Sequence, residues 1–437
     1  MFILPRSSFG LTFLCVTFFS FLVWITSGHG GTSRSPGKAR PHSADGVYTN
    51  VVVKESASDP IWEIQNRTLG FQKIYAVSMP HRTDKRDYLA LMAHMSGLDI
   101  EFIDGVNGSM MHPHALPNPW GGDKGAGTYG CWRAHLDIYQ KMLQEKIHSA
   151  LIFEDDADWD VFLRAQLTDF ARGTRYLTNA TLPMLSPYGD DWDVLTIGHT
   201  GVDNKPGRDG SYWVTENDPT VIVESRRTWG RKPDLSVKAL NGPHTRLVHT
   251  VRKMTGTASY AISMRGASRA LYDQSMMPNA EPIDVALSNL CRQERWTKDF
   301  CIGSYPMLIG RYRAAGPRDK DSDRRAEANV AEPGSEHQSH SERLEPESEF
   351  TVFPVSLNIK RLMMGEMVIP ANVPEKDLLK EIDLRTFVLP EGKPVFVRTK
   401  EYQLFNQQRN APPQPKQEEK KAEEIAKSIV PRRHLAS

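Results

Sequence analysis

The sequence predicts an α/β domain built on a largely parallel sheet, and three observations lead there. Short apolar runs of strand character alternate with stretches whose apolar residues recur at helical spacing. Gly and Pro punctuate the changes, and strands alternating with helices imply parallel pairing through crossovers. One of the strands closes on a crowd of carboxylates, at the kind of strand end where ligands of such sheets bind.

The elements follow in order. "KIYAVSM" gives a strand from Ile74 to Ser78, ended by Pro80. "TDKRDYLALMAHMSG" follows as a helix with Tyr88, Leu91, Met92 and Met95 at helical spacing, Thr83 placed as its cap and Gly97 as its stop. "DIEFIDG" is the second strand, and the loop "NGSMMHPHALPNPWGGDKGAGTYG" carries several turn formers. Trp132, His135, Leu136, Tyr139, Met142 and Leu143 then share a helical face, which makes His135 a hydrogen-bonded core histidine and Trp132 and Tyr139 core aromatics. "ALIF" and "DVLTIG" (Asp193 to Gly198) are further strands. "GTASYAISMRGA" reads as a strand running into a helix, with Tyr260 a buried strand aromatic.

The chain has 437 residues, a net charge of +1 and 24% charged residues, so no global field argues for nucleic acid. Behind a short flank (1–7), Phe9 to Thr26 carries no charge, and 8–27 reads as a signal-anchor, or a signal peptide if cleaved. Asn66, Asn107 and Asn179 open glycosylation sequons that agree with a secretory route. Of the four cysteines, Cys291 and Cys301 enclose a short loop and could pair in an oxidising lumen. The weakly patterned 28–70 suits a stem, 71–315 the main folded domain and the charged 316–349 a flexible linker. Residues 350–405 regain apolar content as a C-terminal extension, and 406–437 read as a disordered tail.

"EDDADWD", from Glu154 to Asp160, admits three readings. An EF-hand fails, because Val161 and Leu167 stand where that loop needs Gly and Glu. A solvated helix cap accounts for Asp158 or Asp160 well and for Glu154 and Asp155 less well. A divalent-cation site shared with a phosphorylated ligand accounts for the crowding, since like charges tolerate one another beside a cation. On these residues alone the cap and the metal site stand level.

Several segments, in order, resemble glycosyltransferase family 25, the family of lipooligosaccharide and collagen galactosyltransferases. They are "IYAVSMPHRTDKR", "GCWRAHLDIY", "LIFEDDA", "DWDVLTIG", "GTASYAISMRGA" and "PIDVAL", and the match covers Phe71 to Gly316. Ala134 departs from the family, which usually has Ser before the His. The resemblance implies a GT-A-like nucleotide-binding sheet that transfers a sugar, usually galactose, with inversion. The donor is a uridine-diphosphate sugar, the acceptor a hydroxyl of a glycan or glycoprotein, and the assisting cation is expected to be Mn²⁺. By the same resemblance Glu154 and Asp155 face the nucleotide and Asp156 the ion, with Asp158 a second possible ligand.

Arg82 and Arg86 suit phosphate oxygens, whereas Lys85 reads as part of a solvated helix face. Asp284, matching the family's late Asp, is the candidate base for the acceptor hydroxyl, with Glu281 in reserve. The expected location is the Golgi or ER membrane, as a single-pass type II protein with a lumenal catalytic domain. Two other classes stay open: a catalytically lapsed sugar-nucleotide-binding relative, and a metal-dependent phosphoesterase. The second lacks a further His/Asp cluster for a two-metal site.

Overall fold

Gly97 stops the first helix of the domain because its φ of 61° turns its own N–H back onto the carbonyls of Ala93 and His94. That helix, α1 (Thr83–Ser96), links two parallel strands, β1 (Lys73–Ser78) and β2 (Glu101–Asp104). Arg82, rather than Thr83, precedes the first turn, and no side chain caps it. The computed structural model describes residues 51–116, 124–204, 210–227, 230–235, 237–277, 281–292, 296, 301–326, 342–372 and 381–397.

Beyond β2, α2 (Ala126–Glu145) leads into β3 (Ser149–Glu154), which lies parallel to β1. There follow β4 (Ala157–Trp159), α3 (Leu163–Thr178), β5 (Val194–Gly198), β6 (Gly201–Asn204), β7 (Ser211–Thr215), β8 (Arg246–Thr255) and β9 (Ser259–Ser263). α4 (Met264–Leu271) begins directly after β9, and the Ser263 hydroxyl accepts from the Gly266 N–H as its cap. α5 (Ile283–Arg292), β10 (Cys301–Tyr305), β11 (Ile309–Arg313), β12 (Gly316–Pro317), α6 (Asp323–Ala326), β13 (Glu342–Arg343), β14 (Glu347–Glu349), α7 (Val355–Met364) and β15 (Lys393–Phe396) complete the described elements.

The main sheet runs β15-β7-β8-β10-β5-β9-β3-β1-β2, with β6 also on β8. Pairings β2–β1, β1–β3 and β5–β10 are parallel. β9, β8 and β15 run against the other strands of that path, so the parallel framework is interleaved with antiparallel strands. Alternation along the strands divides the core between two faces. Ile74, Ala76, Leu151 and Phe153 pack on the face with Leu89 and Met92 of α1 and Leu167 and Phe170 of α3. Tyr75, Ile152, Tyr260 and Ile262 pack on the other face with Leu136 and Tyr139 of α2 and Leu287 of α5. Trp132, His135 and Tyr139 are buried as their spacing predicts.

A second sheet, β14-β11-β4, takes its β4 from within the acidic run. Its β14 comes from within 316–349, where the composition had suggested a flexible linker. Val51, Val53, Ile61, Ile64 and Leu69, all from the weakly patterned 28–70, lie in the core. Phe353 and Val355 lie there too, and β15 closes the main sheet against β7, so much of 350–397 is integral to the fold. Cys291 and Cys301 form a disulfide between α5 and β10. Asn66, Asn107 and Asn179 are all exposed. Among the described residues no helix is long and apolar enough to cross a membrane. Phe9 to Thr26 and the tail 406–437 lie outside the described residues.

Candidate active site

β3 is buried up to Phe153 and ends in a turn at Asp155 and Asp156, so its apolar run carries three consecutive carboxylates to the sheet's rim. Each is held differently. Glu154 Oε1 accepts from the Thr257 hydroxyl at 2.5 Å, and burial, reinforced by the Asp156 carboxylate, pushes its pKa up to about 7. Asp155 Oδ1 accepts from Lys85 Nζ at 2.7 Å, while its carbonyl accepts from the Tyr88 hydroxyl. Burial raises the Asp155 pKa despite the ammonium beside it. Asp156 Oδ2 takes Arg313 Nη1 at 2.7 Å; its Oδ1 is buried and has no partner.

Asp158 lies elsewhere. Its side chain is fully buried, with Oδ2 accepting from the Ser356 hydroxyl at 2.5 Å and Oδ1 from the N–H groups of Trp159 and Ser356 at 2.8 and 3.4 Å. Burial pushes its pKa up to about 6. Both oxygens are spent in docking α7, which leaves this carboxylate poorly suited to a metal. Asp160 is not the solvated helix cap that the sequence suggests. Its oxygens accept from the N–H groups of Phe162 and Phe353, both at 3.0 Å, at 1% exposure, and burial pushes its pKa up to about 7.

The cations come from α1 and β11. Lys85 is 5% exposed and bonded to Asp155, so it belongs to the cluster and not to a solvated helix face. Arg82 grips Asp323 with both carboxylate oxygens, at 2.7 and 2.8 Å, and Asp84 at 2.9 Å. Arg86 points to the Ser78 carbonyl and Asp104. Residues 318–326 thus lie against the starts of α1 and α2. Asp321 pairs with Arg343, its carbonyl accepts from Lys85 Nζ, and Arg324 Nε donates to the Thr128 hydroxyl. Gly127 allows this close approach, since a Cβ there would meet the Arg324 carbonyl oxygen at 2.6 Å.

Asp284 sits in the first turn of α5, where Oδ1 accepts from its neighbour's N–H at 2.9 Å and Oδ2 from Gly256 N–H at 3.3 Å. Glu154, Arg324, Asp284 and Asp155 are charged groups that act on Cys131, whose thiol burial pushes up to about 12. Glu281 is placed by its backbone N–H, which donates to Gln274. The sequence reading missed Arg313 and Thr257, each separated from its carboxylate by more than a hundred residues. It read His135 for packing alone, although Cys131 and His135, four apart on α2, could have signalled a shared face.

The fold is a mixed α/β sheet whose β3 ends in three consecutive carboxylates faced by Lys85 and Arg313. Residues 71–178 match the family model "Glycosyltransferase family 25 (LPS biosynthesis protein)", which bears out the resemblance carried by the motifs. Procollagen galactosyltransferase 1-B of Xenopus laevis is 22% identical over 169 residues, 33% of this chain and 26% of that protein. Inactive glycosyltransferase 25 family member 3 of Homo sapiens is 23% identical over 275 residues, 58% of this chain and 39% of that one. The glycosyltransferase 25 family member of Aedes aegypti is 20% identical over 263 residues, 57% and 36% respectively. The chain therefore spans well under half the length of these relatives. Among solved structures, a glycosyltransferase involved in glycosylation of the major capsid of PBCV-1 aligns with TM-score 0.20 and 9% identity, over 46% of this chain and 66% of that one.

Proposed function

We propose that the chain transfers a sugar from a nucleotide-diphosphate donor to a hydroxyl of a glycan or glycoprotein, with the end of β3 receiving the diphosphate. The observation that carries this reading is the Asp156 carboxylate. One oxygen is neutralised by Arg313 and the other is buried with no partner, in a residue whose charge also acts on Glu154 and Asp155. A buried carboxylate oxygen left bare is costly unless something positive completes it. Oxygen donors of this kind fit Mn²⁺ or Mg²⁺, and Asp156 would hold the ion, with Glu154 and Asp155 toward the nucleotide. The ion, when bound, would neutralise charge developing on the departing diphosphate.

The chain's own groups supply the rest. Lys85 keeps Asp155 in place, and Arg82 lies where phosphate oxygens would replace Asp323. Asp284, held by two backbone N–H groups, takes the proton of the acceptor hydroxyl, which suits an inverting displacement. Uridine as the nucleoside, galactose as the sugar and a GT-A-like binding mode are proposed from the family likeness. The exposed sequon asparagines and the disulfide favour a secretory lumen, Golgi or ER, with 8–27 as the membrane anchor.

The test is Mn²⁺-dependent turnover against a panel of nucleotide sugars, beginning with UDP-galactose, read beside nucleotide binding on the same preparation. Asp284→Asn should bind UDP and Mn²⁺ as the parent does while transfer falls by about 10² to 10⁴. Near-parental transfer would remove the base from Asp284. One observation favours a second reading, a lapsed binding protein: Arg313 already occupies half of Asp156. Binding without turnover across the whole panel would select it.

A further inference from the structure

Cys131, His135 and Glu154 converge from two elements that the fold packs together. Cys131 and His135 lie one turn apart on α2, and Glu154 ends β3 beneath them. One ligand atom from each, the thiol sulfur, an imidazole nitrogen and a carboxylate oxygen, lies within 4.8 Å of the other two. Ligand atoms around a tetrahedral ion with bonds of about 2.0–2.3 Å sit roughly 3.5 Å apart. Small rotations about the side-chain bonds close the difference.

Two details single this trio out from ordinary packing. His135 Nδ1 shares a hydrogen bond of 2.8 Å with the Tyr260 hydroxyl, which itself lies 2.5 Å from the Tyr139 hydroxyl. Its Nε2 is buried and has no partner in the protein. A ring tethered through one nitrogen, with the other bare and buried, is the arrangement by which proteins orient a metal-ligating histidine. Glu154 is tethered in the same manner by the Thr257 hydroxyl on Oε1.

We propose that Cys131, His135 and Glu154 form a binding site for a zinc-type divalent ion, separate from the all-oxygen site at Asp156. Sulfur, imidazole and carboxylate together select a borderline-soft ion over Mg²⁺ or Mn²⁺. Three protein ligands leave a fourth position for water or another small ligand. The ion joins α2 to the end of β3 and fixes Glu154 beside Asp155 and Asp156. The proposal does not depend on sugar transfer.

The experiment titrates the purified, metal-stripped full chain with Co²⁺, an optical stand-in for Zn²⁺. One equivalent should bring up a near-ultraviolet thiolate-to-cobalt charge-transfer band, and Zn²⁺ should displace it. Cys131→Ser should abolish the band, and His135→Gln should weaken binding about 10- to 100-fold. Cys291 and Cys301 are tied in their disulfide, and Cys15→Ser controls for the remaining thiol. Asp156→Asn should keep the band, so loss of activity at the oxygen site is separable from loss of this one. A parent protein with no band, or a band that survives Cys131→Ser, overturns the proposal.

Discussion

Asp156 is balanced on one side only, and its substitution has a specific signature. Asp156→Asn keeps the shape but loses the charge that faces both Arg313 and the proposed ion. Donor turnover should fall roughly a hundredfold or more, with a higher Mn²⁺ concentration for half-activation. An unchanged metal requirement would place the ion elsewhere. Asp160 makes a contrasting case. Asparagine there offers one acceptor oxygen for two backbone N–H groups, at a cost of about 1–3 kcal/mol. Its effect depends on pH. The folded pKa of Asp160 is raised from 3.8 to about 7, so its contribution to stability is greatest below pH 4 and is lost as pH rises toward 7. His135, His199 and His249, lowered to about 4 by burial, act oppositely, since the folded state gains from them as pH rises from 4 to 6.5. The measurable quantity is therefore the difference in melting temperature between parent and Asp160→Asn, which should shrink from pH 4.5 to pH 7.5. A constant difference would mean that Asp160 does not titrate in that window. At this scale the sequence exposed what is contiguous, Glu154-Asp155-Asp156, and hid what chain folding supplies. Arg313 and Ser356 reach their carboxylates across 157 and 198 residues, and no local pattern encodes such a meeting.

In the proposed function, Asp323 of the segment 318–326 occupies the Arg82 side chain that donor phosphate oxygens would take. Asp323 grips Arg82 with both oxygens, and its side chain is about one-third exposed, so the pair is open to competition. Asp323→Asn should loosen the hold on Arg82 Nη1, leaving its Asp84 bonds, and tighten UDP binding several-fold in a calorimetric titration, with the proposed base untouched. Weaker binding would instead give the segment a supporting role. Strands and helices of the first part of the domain were legible in advance, because apolar periodicity and Gly stops report directly on burial and helix ends. Lys85 was not. Its charge predicts exposure, and only the packing of α1 over the end of β3 turns it inward onto Asp155. The segments 51–70 and 342–349 escaped for a related reason. They are short, polar on average and buried through a few residues each, such as Ile61, Ile64 and Arg343.

The molecule as a whole is closed by its late residues. β15 adds the last strand to the main sheet, and Gly392 just before it donates its N–H to Asp169 of α3 at 2.9 Å. Ending the chain at residue 405 should leave the melting temperature nearly unchanged, whereas ending it at 392 should lower it by several degrees and expose the edge of β7. Equal behaviour of the two truncations in thermal unfolding would show that β15 contributes no stability. The disulfide between Cys291 and Cys301 adds a second clasp, and removing it should cost about 2–4 kcal/mol. The position of β15 also has a consequence for synthesis. A chain made from its N-terminus presents β7 some 180 residues before its neighbour at Lys393–Phe396 can pair with it. Until Lys393–Phe396 is made that edge is bare, and an emerging copy on the same message carries the same bare edge, so crowded ribosomes and slow elongation are the conditions under which this protein should aggregate.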